Sequence, residues 1–455
     1  MTANLKEMKK ELVAEGVEYV YGAYVDIHGV AKSKCVPIEH FEDFAEGSEL
    51  YTVGALEGMG PLGPNEDECV GFPDLSSLTV LPWDRRFAIA AADLNFHDTP
   101  YSHDSRAVLR RQVEAARSMG YEPMMGVEPE VYILRKVDGV VEPFIPDDTL
   151  NIPTRGYDLE ATIQADAFLD PMVKYINELG WDVFSFDHEG GDGQYEFDFG
   201  YTDVVQMADR MLIFRLMAKH VARTLDCFAT FMPKPWSECF GSGAHLNVSL
   251  ADTKNGTNAF EADGEVQSNR GRGYTDLAYH FTAGVLRHSG AITALVCPTV
   301  NSYKRLEPYG SMREMSWAPI YRSYGHNNRT LMCRLPMNRR CVELRHADAG
   351  CNFYLGAALT FAAGIEGIRE KLDPGEAVEF NTYDAKNDAE LEKMGVFRLP
   401  RTLKDALGEF VDDDLAKETL GKEFHTTFAE YKLAEWNEYC LAVTDWEKDR
   451  YMHLW

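Results

Sequence analysis

The segment GVEPEVYIL, residues 126–134, constrains this chain more than any other. It alternates as a strand does. Val127, Val131 and Ile133 fall in one register, while Glu128 and Glu130, two apart, point to the opposite face. Two like charges on one face of a buried strand are costly unless something cationic sits between them. A solvated strand face fits the same pattern, and for the pair taken alone it is the commoner case, since such charges are rarely buried.

Three further segments carry related signals. In DHEGGDGQYEFDF (187–199), Glu189 and Glu196 bracket a glycine-rich turn that can fold the two carboxylates together or form an ordinary hairpin. In KPWSECFGSGAHLNVSL (234–250), Gly241-Ser242-Gly243 leads into a strand bearing His245. Small residues let backbone amides approach a ligand closely, although a lone histidine is more often structural than a ligand. In RRCVELRHADAG (339–350), Glu343 and Arg345 share a strand face, as a surface ion pair also would. Arg305, Arg329 and Arg334 lie upstream, and arginine is suited to bidentate carboxylate or phosphate recognition. Together the segments place five glutamates and one histidine on strands beside arginines. Oxygen-rich ligation with one imidazole suits Mg²⁺ or Mn²⁺ rather than zinc, and clustered divalent ions with arginines describe a phosphoryl-transfer site. There is no G-x-x-x-x-G-K-[ST], which excludes a P-loop.

A chain of 455 residues exceeds what one core usually organises, so two domains are expected, with a boundary near residue 102. A net charge of −28, spread without an acidic tail, argues against nucleic-acid and membrane partners. Nine scattered cysteines without a C-x-x-C pair fit free thiols in a reducing cytoplasm. The N-terminus reads as an amphipathic helix with Leu5, Met8, Leu12 and Val13 on one face, and it lacks the apolar core of a signal peptide. The stretch YLGAALTFAAGI (354–365) is too short to span a bilayer.

Strands are expected within the first hundred residues, including VEYVYGAYVDIHGVAKSKCVP with a turn at Asp26–Gly29, LTVLPW and FAIAAADLNF; residues 54–74 read as loop. Asp104 caps a helix that ends at Gly120. Beyond it, helices are expected at 202–224, 274–294, 352–370 and 424–450, and strands at 126–134, 194–199, 244–250 and 341–346. Helix blocks among strand pairs indicate an α+β fold, not regular βαβ winding.

These segments, in this order and at these spacings, resemble glutamine synthetases over nearly the whole chain, from AYVDIHG at 23–29 to the C-terminal helix. The resemblance implies a small N-terminal β-grasp domain (1–102) and a large catalytic domain (103–455) whose curved antiparallel sheet is backed by helices. It also implies a dodecamer of two hexameric rings, with active sites shared between subunits. By position, Glu130, Glu189 and Glu196 match the ligands of one metal ion, and Glu128, His245 and Glu343 those of another, with two to three Mg²⁺ or Mn²⁺ ions per site. Arg305, Arg345 and Gly241 match residues that hold the substrate L-glutamate. Arg329 and Arg334, with Asn247 and Ser249, fall at the ATP site. Asp26 matches an aspartate that reaches the neighbour's site and deprotonates the incoming amine; Arg334 and Glu343 join it in the expected catalytic set. The implied reaction passes through γ-glutamyl phosphate, which a neutral amine then attacks. Tyr383, in NTYD, falls where some relatives are adenylylated, and also reads as a surface loop tyrosine.

Four departures from the family pattern bear on the amine. YTVGAL (51–56) replaces the usual F-D-G-S-S loop, Phe240 replaces an asparagine, and Asn247 replaces the second histidine of H-x-H. In a flap between Arg305 and Arg329 that is longer than usual, Trp317-Ala318-Pro319 replaces a glutamate-alanine-proline triplet. With a tryptophan there the amine pocket is expected to be more apolar and to lack one charge. This resembles the branch of the family that joins methylamine to glutamate; ammonium, or a larger alkylamine or polyamine, are the alternatives. A ring protein that had lost catalysis would lack metal ligands, whereas all six positions are filled.

Overall fold

The computed structural model describes residues 2–145, 155–262, 270–308, 317–385 and 387–454, so much of the expected flap, residues 309–316, lies outside the described residues. Strands and helices are mixed without regular alternation, an α+β fold built on two sheets. The first sheet is ordered Ala31–Pro37, Tyr19–Val25, Phe87–Phe96, Cys69–Pro73, Glu49–Tyr51. Its first pair is a hairpin closed by the turn at Asp26. Asp26 Oδ1 accepts from the amides of His28 (2.9 Å) and Val30 (3.0 Å), which fixes the turn. Gly29 takes φ +73°, and a Cβ there would stand 2.8 Å from Asn352 Cα, so only glycine lets the turn seat against the rest of the chain.

The second sheet is ordered Val183–His188, Gln194–Phe199, Tyr121–Val137, Ala244–Asp252, Val342–Leu344, Leu331–Leu335, Tyr321–His326, Phe397–Arg398. These neighbours pair antiparallel except Tyr321–His326 with Leu331–Leu335. There the chain doubles back after Asn327 (φ +60°), which returns Leu331 beside Tyr321 and makes that one pair parallel. The helices Ser105–Ser118 and Val204–Thr224 pack on the long central strand and bury its apolar register, Val127, Val131 and Ile133. This leaves the glutamate register facing away from the core.

Several sequence expectations need correction. Residues 54–74 include the strand Cys69–Pro73, whose Cys69 is buried where it pairs with Tyr51; its glycine and terminal proline concealed it. LTVLPW pairs only at Thr79–Val80. Val13 is 52% exposed, so the N-terminal helix buries Leu5 and Leu12 without it. The segment 424–450 divides into Lys422–Leu441 and Asp445–Tyr451 because Ala442 is extended and Thr444 forms a capping box with Glu447. Tyr383 is buried, not a surface residue, and its hydroxyl donates to the carbonyl of Ala318. No helix among the described residues is long and apolar enough to cross a membrane.

The segment 274–294 likewise divides, into Asp276–Arg287 and Ser289–Val296. The break falls at His288, whose Nδ1 lies 2.7 Å from Asp413 Oδ2 and whose Nε2 lies 2.6 Å from Glu366 Oε2. Burial pushes this imidazole down, but the bonds to Asp413 and Glu366 outweigh it and hold its pKa above the ordinary 6.5. A raised folded pKa gives a contribution that is full below the unfolded value and lost as pH rises through the folded one. His288→Gln is therefore expected to lower Tm by about 1–2 °C near pH 6 and by less as pH increases toward 9. A deficit that grows with pH in paired melts would contradict this.

Candidate active site

Strand register builds the site. On the long strand, Glu130 stands opposite Glu196 and Glu128 opposite His245; further across, Asn247 faces Glu343, and Glu343 faces Arg334. Strands adjacent in space, though distant in sequence, thus deliver one row of ionisable groups. Glu343 is fully buried, and Glu130 and His245 nearly so. Like charges directly opposite each other on a sheet repel, and the titration behaviour reflects it. Burial and the charge of Glu189 push Glu130 up to about 8. Burial, then Glu130 and Glu189, drive Glu196 well above the ordinary range. Burial raises Glu189 too, and Asp198 is pushed up to about 7 by burial and Glu128. One oxygen of Asp198 and one of Asp187 are buried without a hydrogen-bond partner among the described residues.

Glu128 behaves differently. Burial pushes it up, yet the hydrogen bond from His245, with Arg339 and Asn247, holds it at about 2. His245 is itself lowered by burial and by Arg345, which favours the neutral imidazole a metal requires. With Nδ1 3.1 Å from Glu128 Oε2, its Nε2 keeps a lone pair for a cation.

Ligand atoms come within 4.8 Å of one another in three groups: Glu128, His245, Glu343; Glu130, Glu196, His245; and Glu128, Glu196, Asp198. Five of the six expected ligands are therefore brought together. Glu189 falls outside these groups, where its Oε2 accepts from the Gly190 amide at 3.1 Å, and Asp198, which sequence reasoning missed, enters instead. Oxygen donors in excess of nearby positive charge, some unsatisfied, form a set that Mg²⁺ or Mn²⁺ fits.

The arginines border this row. Arg345 Nη1 is 2.6 Å from Glu343 Oε1 and Arg334 Nη1 is 2.8 Å from Glu343 Oε2. Arg305, nearly buried, donates to the carbonyls of His346 (2.9 Å) and Arg345 (3.1 Å). The Gly-Ser-Gly loop runs against it: a Cβ on Gly241 would stand 2.5 Å from Arg305 Cγ, and one on Gly243 would stand 2.8 Å from both Arg305 Nη2 and Glu130 Oε1. Asn247 donates to Glu128 Oε1 at 3.0 Å, so its amide is committed to the carboxylate row, while Ser249, two residues on, is nearly buried. Exposed Arg329 and Trp317, with Asn328, Thr330, Phe380 and Tyr383, line a cavity of about 340 Å³ that none of the six expected ligands borders. Trp317 is 59% exposed with φ +56°, an uncommon backbone conformation for so bulky a residue. The Asp26 carboxylate contacts its own turn and Lys32 Nζ at 3.1 Å, and none of its hydrogen bonds or ion pairs reaches the carboxylate row of the same chain.

The second of two sheets thus carries a row of carboxylates and one imidazole, bordered by arginines, as a candidate divalent-cation site. Residues 102–451 match the family model "Glutamine synthetase, catalytic domain", and the chain belongs to that family of ligases. It is 38% identical over 449 residues to the glutamate–methylamine ligase of Methyloversatilis universalis, covering 98% of this chain and 99% of that one. It is 34% identical over 448 residues to a glutamine synthetase of Rhizobium meliloti, covering 98% of each. Among solved structures it is similar to GmaS in complex with ADP, with TM-score 0.87, 32% identity, and 98% and 99% of the two chains covered. Ligand-free GmaS aligns with TM-score 0.85, 31% identity, and 97% and 98% coverage.

Proposed function

We propose that this chain joins methylamine to the γ-carboxylate of L-glutamate at the expense of ATP, giving γ-glutamylmethylamide, ADP and phosphate. Arg305 and Arg345 bind the substrate's carboxylates through charge-assisted hydrogen bonds, with Gly241 beside them. The γ-carboxylate attacks the ATP γ-phosphorus, forming γ-glutamyl phosphate and releasing ADP. Arg329 and Arg334 offset charge on the transferred phosphoryl group, and Ser249 lines the nucleotide side. Asp26 of a neighbouring subunit takes a proton from the bound ammonium form, and the neutral amine displaces phosphate. Glu130, Glu189 and Glu196 would hold one Mg²⁺ or Mn²⁺ and Glu128, His245 and Glu343 another, and the ions would supply positive charge to the phosphates.

Residues 1–102 and 103–455 form two domains on this reading, consistent with the two sheets and with the start of the family match at residue 102. Assembly into two stacked hexameric rings supplies Asp26 to its neighbour. Exposed Leu441, Val443, Trp446, Met452 and Leu454 set apolar side chains among the charged ones at the C-terminal end, and a subunit contact would cover them. The nine free cysteines agree with a cytoplasmic setting.

The observation that carries the choice of amine is Trp317 on the rim of the cavity beside Arg329, where the family pattern has a glutamate. Burying one methyl contributes about 0.8 kcal/mol, and an alkylammonium over an indole face a further ~0.5–2 kcal/mol. Together these favour methylamine by roughly ten- to a hundredfold. ADP release with glutamate plus ammonium, methylamine, ethylamine or putrescine is expected to give the highest kcat/KM for methylamine. Trp317→Glu should narrow or reverse the ratio to ammonium. Preference for ammonium in the wild type would make glutamine synthesis the better reading.

A further inference from the structure

One side chain in the carboxylate row is absent from the mechanism above. Arg339 Nη2 lies 2.5 Å from Glu128 Oε1, 3.0 Å from Asn247 Oδ1 and 3.3 Å from Glu343 Oε2. A single nitrogen therefore gathers three oxygens from three strands or their partners, as a small cation would. The rest of the guanidinium is not used in the manner of a permanent bidentate pair: its Nε is buried without a hydrogen-bond partner among the described residues. The side chain is still 38% exposed, so it has a way out toward solvent. Two of its three oxygens belong to the group Glu128, His245, Glu343, whose ligand atoms come within 4.8 Å of one another. The third is the Asn247 carbonyl, at a position where the family pattern has histidine; an imidazole lacking a lone pair on that side could not accept the bond that an amide oxygen accepts here.

We propose that Arg339 is a displaceable internal cation. Its guanidinium stands between Glu128 and Glu343, residues that would hold a divalent ion, with Asn247 bonded to it, so that Arg339 and Asn247 set the metal affinity of this subsite. The proposal rests on the reading of Glu128, His245 and Glu343 as metal ligands. Binding of the ion requires the guanidinium to leave, and the lost hydrogen bonds weaken apparent affinity.

The test uses the full-length, metal-stripped protein and Mn²⁺ alone. Mn²⁺ binding followed by electron paramagnetic resonance is expected to be at least about tenfold tighter in Arg339→Ala than in wild type, with stoichiometry unchanged, the equivalent of about one charge-assisted hydrogen bond. Arg339→Lys keeps the charge but cannot span the same oxygens, and should fall between. In the wild type, mass-spectrometric mapping of phenylglyoxal modification should find Arg339 more reactive once Mn²⁺ is bound, a readout that depends on no variant folding. Affinity in Arg339→Ala within about twofold of wild type, or reactivity that is unchanged or falls with Mn²⁺, overturns the proposal. Failure of the metal assignment itself looks different: Glu128→Gln and Glu343→Gln would then leave wild-type Mn²⁺ binding intact.

Discussion

Replacing Glu130 with glutamine is expected to stabilise the metal-free protein and, at the same time, to reduce ligation by at least about a thousandfold. The two effects share one cause. Glu130 stands opposite Glu196, is nearly buried, and is pushed up to about 8 by burial and by Glu189. A carboxyl whose folded pKa is raised contributes most below its unfolded value near 4.5, and that contribution is lost as pH rises toward 8. At pH 7 the wild type thus bears a cost of roughly 1–3 kcal/mol that a neutral amide does not. Glutamine keeps the acceptor for Gln194 Nε2, which lies 2.8 Å from Glu130 Oε2, so the local packing survives. Without a carboxylate ligand the phosphates lose their counter-charge, worth about 4 kcal/mol in the barrier. Melts in chelator should place Glu130→Gln above wild type, and melts in excess Mg²⁺ should reverse the order. Full activity of the wild type in excess chelator would falsify the metal assignment outright.

Removing the proposed base should cost nearly as much. Asp26→Asn keeps the oxygen that caps the amides of His28 and Val30, so the turn and its seat against Asn352 persist, but the group can no longer accept a proton. A fall in kcat of about 10²–10⁴ is expected, with little change in the KM for glutamate. If each site pairs one subunit's Asp26 with its neighbour's Arg345, equal mixtures of Asp26→Asn and Arg345→Ala subunits should recover about a quarter of wild-type activity, since one adjacent pair in four is complementary. Verified mixed rings with no recovery would place Asp26 in its own subunit's site or outside the chemistry.

How far the sequence led can be judged residue by residue. Glu128 and Glu130 were legible because strand periodicity is strict, so two residues apart means one face. Glu196 was legible because the glycine-rich turn returns the chain beside them, and the observed register puts it opposite Glu130. Asp198 belongs to the same alternation, Gln194, Glu196, Asp198, and was overlooked although the period of two pointed to it. Arg339 could not have been found this way. Its contacts with Glu128, Asn247 and Glu343 join residues of three different strands, and no local spacing encodes that. The splits at His288 and Thr444 were missed for a related reason: helical periodicity continues across a break, and only the capping partners, here Asp413, Glu366 and Glu447, reveal it. Burial of Tyr383 was likewise invisible, since the residue that accepts its hydroxyl's hydrogen bond is 65 positions away.

That last contact has a consequence for covalent control. The Tyr383 hydroxyl donates to the backbone carbonyl of Ala318, next to Trp317, and the residue is buried. A nucleotidyl group could be attached to that oxygen only after the bond to Ala318 had broken and the ring had come out of its buried place. A modifying enzyme would then depend on local opening around Tyr383 as well as on the peptide around it, and its action would trap the opened form.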